Sequence, residues 1–184
     1  VLRKGQRHIE PLEAGSLVLE PVKKALAAEL LEPLREPALY DFVVDLPPES
    51  LAELEQRFER LERELSPECD DTCYGWIIRR DGTPAGLLQA TCNGDRQAFI
   101  GYEVFKPFRR QGVAKAAVGA VLGFLRRATD TQQVIAYVDT RNEPSINLLL
   151  SAGFSRRRLI KGADWFKGSV SDELEFERCL PSRF

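Results

Sequence analysis

The sequence predicts an α/β fold, a mixed sheet with helices on both faces, and three observations carry that prediction. Two turn signals, Asp81–Gly82 and Asn93–Gly94, separate three strand-like runs, which predicts an antiparallel meander. An amphipathic helix then leads from the last run to a short apolar strand, Val134–Val138, and so makes a parallel crossover. Two amphipathic helices precede the meander, and a helix with two strands follows the crossover. The resulting order is β-α-α-β-β-β-α-β-α-β-β.

Each element has a local reason. Residues 1–16 show no periodicity and are expected to form a flexible leader, with residues 17–184 as one domain. Leu17–Glu20 reads as a strand, and Pro21 is placed to open a helix whose apolar stripe is Val22, Ala25, Leu26, Leu30 and Leu34. Residues 38–46 read as irregular chain with some strand character. Ser50 and Glu53 form a capping box, followed by Leu51, Leu54, Phe58, Leu61 and Leu65 at helical spacing, with Ser66–Pro67 as the stop. The charges on this helix, Arg57 among them, are expected to be a solvated face. Tyr74–Arg79, Pro84–Cys92 and Arg96–Phe105 form the meander. From Gly112, the residues Ala114, Ala117, Val118, Val121, Leu122 and Leu125 trace one helix face. Asn142 caps a last helix, with Pro144 in its first turn and Gly153 as the stop; Phe154–Ile160 and Glu173–Leu180 close the sheet.

Composition narrows the function. The longest apolar run, Ala116–Leu125, is too short to span a bilayer, and the first fifteen residues lack a signal-peptide core, so no membrane partner and a cytoplasmic location are expected. A net charge of −2 argues against non-specific nucleic-acid binding. The charge is uneven, however: residues 1–95 hold 11 basic and 19 acidic side chains, residues 96–184 hold 15 and 9. The second half therefore attracts anions. Cys69, Cys73, Cys92 and Cys179 lack zinc-site spacing and His8 is the single histidine, so no metal site and no histidine-dependent triad is expected.

The segment with most chemical content is Ile100–Ala114, IGYEVFKPFRRQGVA. A strand feeds a short basic loop and then a helix that begins at Gly112. Such a junction gathers free backbone N–H groups and the positive end of a helix dipole, which suits a pyrophosphate. A tight turn with solvated arginines gives the same pattern. Neither GxGxxG nor GxxxxGK[ST] is present.

Arg109-Arg110-Gln111-Gly112-Val113-Ala114 resembles the acyl-CoA signature [RQ]xxGx[GA] of the GNAT (Gcn5-related N-acetyltransferase) family, and it lies between the strand and helix where that family places it. Downstream, Asn142 to Phe154 is similar to the NxxSxxxxxxxGF pattern of the branch containing the ribosomal-protein N-terminal acetyltransferases. The element order matches over about residues 17–180. The resemblance implies a largely antiparallel sheet whose parallel central pair splays to hold acetyl-CoA as cosubstrate. It implies that backbone groups of Val104 and Phe105 pair with pantetheine, and that amides from Arg110 to Ala114 cradle the pyrophosphate, with Arg109 and Arg110 adding charge. It places Asn142 and Ser145 near pantetheine and the thioester sulfur; a plain helix cap is the other reading of Asn142.

The reaction implied is acyl transfer to a primary amine by direct attack. An alkylammonium with a pKa of about 10.4 must first lose a proton, so a base is required. Glu103 is the candidate base, against the reading of an ion-paired glutamate, and Asp139 is a weaker substitute. Many relatives carry a tyrosine seven residues after the asparagine, as the acid toward the thiolate. Here that position is Leu149, which leaves Ser145, Tyr137 or water as donor. Tyr40, Phe42, Tyr74, Trp76, Trp165 and Phe166 are candidate walls of an acceptor pocket or plain packing. The acceptor is expected to be a small amine or a peptide N-terminus, and the chain a monomer or homodimer. A catalytically silent acyl-CoA-binding module is the alternative.

Overall fold

The computed structural model describes residues 9–64 and 71–181. Its strands are β1 (Leu12–Ala14), β2 (Leu17–Pro21), β3 (Thr72–Arg80), β4 (Thr83–Cys92), β5 (Gln97–Val104), β6 (Gln133–Asp139), β7 (Ser155–Phe166) and β8 (Ser169–Cys179). The α-helices are α1 (Ala27–Leu34), α2 (Leu51–Glu62), α3 (Val113–Ala128) and α4 (Glu143–Ser151). One sheet runs in the order β1-β2-β3-β4-β5-β6-β8-β7, antiparallel at every contact except β5–β6. This is the expected mixed α/β architecture, with the crossover through α3 making the parallel pair.

Two apolar clusters occupy the two faces of the sheet. Val113, Ala117, Val118, Val121, Leu122 and Leu125 of α3, with Ile146 and Leu149 of α4, pack on Trp76, Ile78, Leu88 and Ala136. On the opposite face Leu30 and Leu34 of α1, with Leu54, Phe58 and Leu61 of α2, pack on Cys73, Ile77 and Leu87. Alternation along β3 and β4 sends neighbouring residues to opposite clusters, as a sheet buried on both faces requires.

Several expectations need correction. Leu12–Ala14, assigned to the leader, pairs with Leu17–Leu19 as β1. Pro21 ends β2 instead of opening a helix; a 3-10 turn at Lys24–Leu26 intervenes before α1. Residues 38–46 contain no strand; a 3-10 turn at Pro37–Leu39 begins the segment. At Asp81–Gly82 both residues adopt positive φ (50° and 79°), as the hairpin reading requires. At Asn93–Gly94 they do not. Asn93 Oδ1 instead accepts from the amides of Asp95 and Gln97, each at 3.0 Å, and Arg96 takes the left-handed conformation at φ 59°. The side-chain bonds build a wider loop. Ser50 Oγ accepts from Glu53 N at 3.2 Å, while the Glu53 carboxylate takes the amide of Glu49, one residue before the expected partner. His8, Leu65, Ser66–Pro67 and Cys69 lie outside the described residues.

Candidate functional site

β5 and β6 are hydrogen-bonded partners only at their start. Gln97–Phe99 pairs with Gln133–Ile135, and there the pairing ends, although β5 continues to Val104 and β6 to Asp139. The outer edges stay zipped: β4 pairs with β5 as far as Val104, and β8 pairs with β6 as far as Asp139. The two strands thus part like a V, and a cleft of roughly 980 Å³ runs along β5 where it has left β6. Residues of β5, α2, α3 and α4 line it.

The α3 end of the cleft is a backbone cradle. Gly112 is the N-cap at φ 76°, and Arg110 is also left-handed at φ 61°. A Cβ built on Gly112 meets nothing within 4 Å, so glycine is required by backbone conformation and the space before it is open. Among the described residues, no backbone N–H from Arg110 to Lys115 donates to a protein acceptor in ordinary hydrogen-bond geometry; the first helical bond at this end is Ala116 N to Gly112 O, 3.1 Å. Gly112, Val113, Ala114 and Arg110 all line the cleft. Unsatisfied donors at a helix start, with the dipole behind them, suit an anion such as a diphosphate. Acetyl-CoA fits this arrangement.

The remaining predicted positions divide. Arg109 lines the cleft, with its Nε donating to Val104 O at 2.9 Å. Gln111 sits outside the lining, its side chain held by Arg80 and by Pro107 O. Val104 lines the cleft, but Phe105 does not: its amide donates to Ala85 O at 2.9 Å and its ring is buried on the α1–α2 face. The backbone carbonyl of Val104 and amide of Phe105 are therefore already engaged. Asn142 caps α4, its Oδ1 accepting from Ser145 N at 3.2 Å, and both residues face the cleft.

The two candidate bases separate clearly. Glu103 lies on the half of β5 that has left β6, its residue half-buried, with Oε2 buried and without a hydrogen-bond partner. Desolvation pushes its pKa up, Arg57 pulls it down, and Asp45 adds to the rise. Gly86 makes its position possible, because any Cβ there would collide with the Glu103 carbonyl. Asp139 is the opposite case. Arg141 binds both its oxygens at 2.9 and 2.6 Å and Ser171 adds a bond at 2.6 Å, which holds its pKa down at about 2. Such a carboxylate makes a poor base at neutral pH.

Sequence reasoning missed three residues of the cleft. Arg57, read as solvated, lines it with Asp45, and among the described residues its guanidinium makes no hydrogen bond or ion pair. Tyr102 also lines it, its hydroxyl 2.7 Å from Ser145 Oγ. Of the six candidate wall aromatics, Phe42 lines the cleft. Tyr74 and Trp76 pack edge-on against Phe124 on the α3 face, at 5.1 and 5.2 Å, and Trp165 is 69% exposed. Tyr137, a candidate acid, stacks on Phe99 at 6.2 Å. Leu149 is fully buried.

Because strand neighbours point to opposite faces, Glu103 and Tyr102 address the cleft from opposite sides of the sheet. Glu103 shares its side with Arg57 and Asp45, Tyr102 with Ser145, and all five line the one cleft. Among the described residues no three His, Cys, Asp or Glu side chains gather to hold a metal. No described helix is long and apolar enough to cross a membrane.

Comparison with solved structures finds the same fold repeatedly. A RimL ribosomal L7/L12 α-N-protein acetyltransferase in complex with coenzyme A superposes with a TM-score of 0.84 at 18% identity, over 93% of this chain and 98% of that one. RimJ of Mycobacterium smegmatis, with CoA-disulfide, gives 0.80 at 23% identity, over 96% and 88%. A chimeric spermidine N-acetyltransferase SpeG from Vibrio cholerae gives 0.76 at 15%, over 90% and 96%. At these identities the likeness speaks for the fold. A search of curated protein sequences finds no significant match. The family model for the acetyltransferase (GNAT) domain matches residues 16–155, the span that includes the meander, the Gly112 cradle and α4. The chain belongs to the GNAT acetyltransferase family and is an acetyl-CoA-dependent N-acetyltransferase.

Proposed function

We propose that acetyl transfer takes place through the gap between β5 and β6, with the thioester entering from the α3–α4 side and the acceptor amine from the α1–α2 side. The buried, unpartnered Oε2 of Glu103 carries this reading. A carboxylate in that state has a raised proton affinity and an empty hydrogen-bond position, both of which suit a base receiving a proton from an incoming ammonium. The amides from Arg110 to Ala114 hold the pyrophosphate. Asn142 and Ser145 stand at the pantetheine and sulfur end. Acetyl-CoA supplies the activated acyl group; the ammonium gives one proton to Glu103, which passes it on to water, the freed amine nitrogen forms the new bond to the carbonyl carbon, the C–S bond breaks, and the second proton leaves the nitrogen for Glu103.

The acceptor is best read as an amine with an oxygen acceptor close by, as at a peptide N-terminus or in a free amino acid. On the acceptor side an unpaired guanidinium, Arg57, stands in the same cleft as the carboxyl of Glu103, with Asp45 nearby. A ligand with a cationic amine beside a carbonyl or carboxylate satisfies both charges, whereas a polyamine leaves Arg57 repelled. RimL is a neighbour whose kind of acceptor agrees with this, and SpeG one whose kind does not. Acetylation assays on a peptide with a free N-terminus, a free amino acid and spermidine test it. The peptide or the amino acid is expected to give the higher kcat/KM, and Arg57→Leu is expected to lower that value about tenfold while leaving spermidine unchanged or improved. Preference for spermidine in the unaltered enzyme would reject it.

A cytoplasmic location belongs to the same reading. Free Cys73 and Cys92, with no disulfide among the described residues, support it.

A further inference from the structure

The family pattern places a phenol on the helix after the asparagine, and here that helix position is the buried Leu149. A phenol is nevertheless present, supplied by the neighbouring strand. Tyr102 lies on the part of β5 that has left β6, lines the cleft, and brings its hydroxyl to 2.7 Å from Ser145 Oγ across 43 residues of sequence. We infer that Tyr102 is a positioning residue for the departing thiolate: its O–H donates to Ser145 Oγ and leaves the Ser145 hydroxyl hydrogen to point at the sulfur. This inference rests on the acetyl-transfer geometry proposed above.

Three properties of the pair support that direction of the hydrogen bond and its purpose. A phenol is a much stronger donor than an aliphatic alcohol, so in a Tyr–Ser pair the tyrosine gives its hydrogen and the serine keeps one spare. Burial pushes the Tyr102 pKa up to about 12, so the phenol remains protonated throughout the working pH range. Ser145 is itself fixed: it sits in the first turn of α4, and its amide donates to Asn142 Oδ1 at 3.2 Å. A hydroxyl held from behind, at the positive end of a helix, faces the place where negative charge develops as the C–S bond breaks.

The step balances without proton loss from tyrosine. The electron pair of the C–S bond goes to sulfur, the first ammonium proton goes through Glu103 to water and the second to Glu103, and the thiolate is stabilised by the Ser145 O–H. An alkyl thiol has a pKa of about 8.5, well below that of the buried phenol, so Tyr102 keeps its proton and acts by orientation. The thiolate takes a proton from water on release.

A double-mutant cycle on the full chain tests this, with Tyr102→Phe, Ser145→Ala and the pair together. Tyr102→Phe is expected to lower kcat for acetyl-CoA about five- to tenfold, with KM and the Kd of CoA changed less than about twofold. Ser145→Ala is expected to cost at least as much, and the double variant no more than Ser145→Ala alone. A second arm uses S-phenyl thioacetate, whose thiolate leaves readily. There the Tyr102→Phe defect should shrink toward unity, which a general loss of packing would not produce. Additive losses in the cycle, an unchanged kcat in Tyr102→Phe, or an equal defect with both donors would overturn the inference. If Tyr102→Phe fails to fold, Ser145→Ala with the two donors decides the same point, since an equal defect with both removes any leaving-group role. Absence of turnover in the unaltered enzyme with every amine would instead reject the transfer geometry itself.

Discussion

Glu103 and two acids of the β6–β8 ladder, Asp139 and Glu175, sit in one sheet, yet they are treated in opposite ways. Glu175 of β8 is buried and bound at 2.6 Å by both Arg157 and Arg158, and its pKa is lowered. Asp139 has Arg141 and Ser171. Glu103, two strands away, has a buried oxygen with no partner at all. Burying a carboxylate without hydrogen bonds opposes folding, so a chain that saturates two of them and leaves a third open has kept that third one for something else. The difference follows from the sheet. Arg157 and Arg158 of β7 reach Glu175 across the β7–β8 pairing, and Arg141 reaches Asp139 from two residues further along the chain; where β5 leaves β6, no such arginine among the described residues pairs with Glu103.

The largest effect expected from this contrast is at Glu103. Glu103→Gln should lower kcat on the order of 100-fold or more, with acetyl-CoA affinity nearly unchanged, in steady-state and binding assays. The same variant should melt no lower than the parent at neutral pH. A raised folded-state pKa adds stability only at low pH, below the unfolded value, and loses it as pH climbs past the folded value, so nothing is forfeited near pH 7. A clear fall in Tm would put Glu103 among the structural acids. At the opposite end of the cleft, Gly112→Val forces a branched side chain to φ 76° in front of the cradle and should weaken acetyl-CoA binding about tenfold or more, read by calorimetry.

Smaller effects are expected on the paired acids, and of another kind. Asp139→Asn and Glu175→Gln should each lower Tm by roughly 5 °C at pH 7 while changing kcat less than about threefold. For Asp139 the pH dependence has a definite sign. Its folded-state pKa of about 2 lies below the usual carboxylate value, so it stabilises above about pH 4, and the gap between parent and Asp139→Asn should close as the pH falls toward 2. The smallest effect is a displacement of the pH profile. With Glu103 as base, the acid limb of kcat/KM should lie above the ordinary carboxylate range and vanish in Glu103→Gln. A limb at the usual value would blur the contrast between the two kinds of acid.

The sequence made most of the fold legible, because its signals are local. The Asp81–Gly82 hairpin, the face of α3 and the Asn142 cap each depend on a few adjacent residues, and each stands as expected. β1 escaped notice because three residues carry no period; only pairing with β2 defines it. The β7–β8 hairpin runs longer than expected because Lys167 and Gly168 both take positive φ, in a turn with none of the usual dipeptides. In the site, the cradle at Gly112 was legible as a strand–loop–helix junction. Tyr102 and Arg57 were not. Tyr102 acquires its meaning from a serine 43 positions away, and Arg57 from a cleft wall built by three other elements.

The most direct measurement is an amide spectrum of isotope-labelled protein titrated with coenzyme A. If the β5–α3 junction holds the diphosphate, the resonances of Arg110 to Lys115 should move furthest and saturate together, with those of Glu103 and Asn142 following less strongly. Tight binding of coenzyme A that leaves those six amides in place would contradict the account.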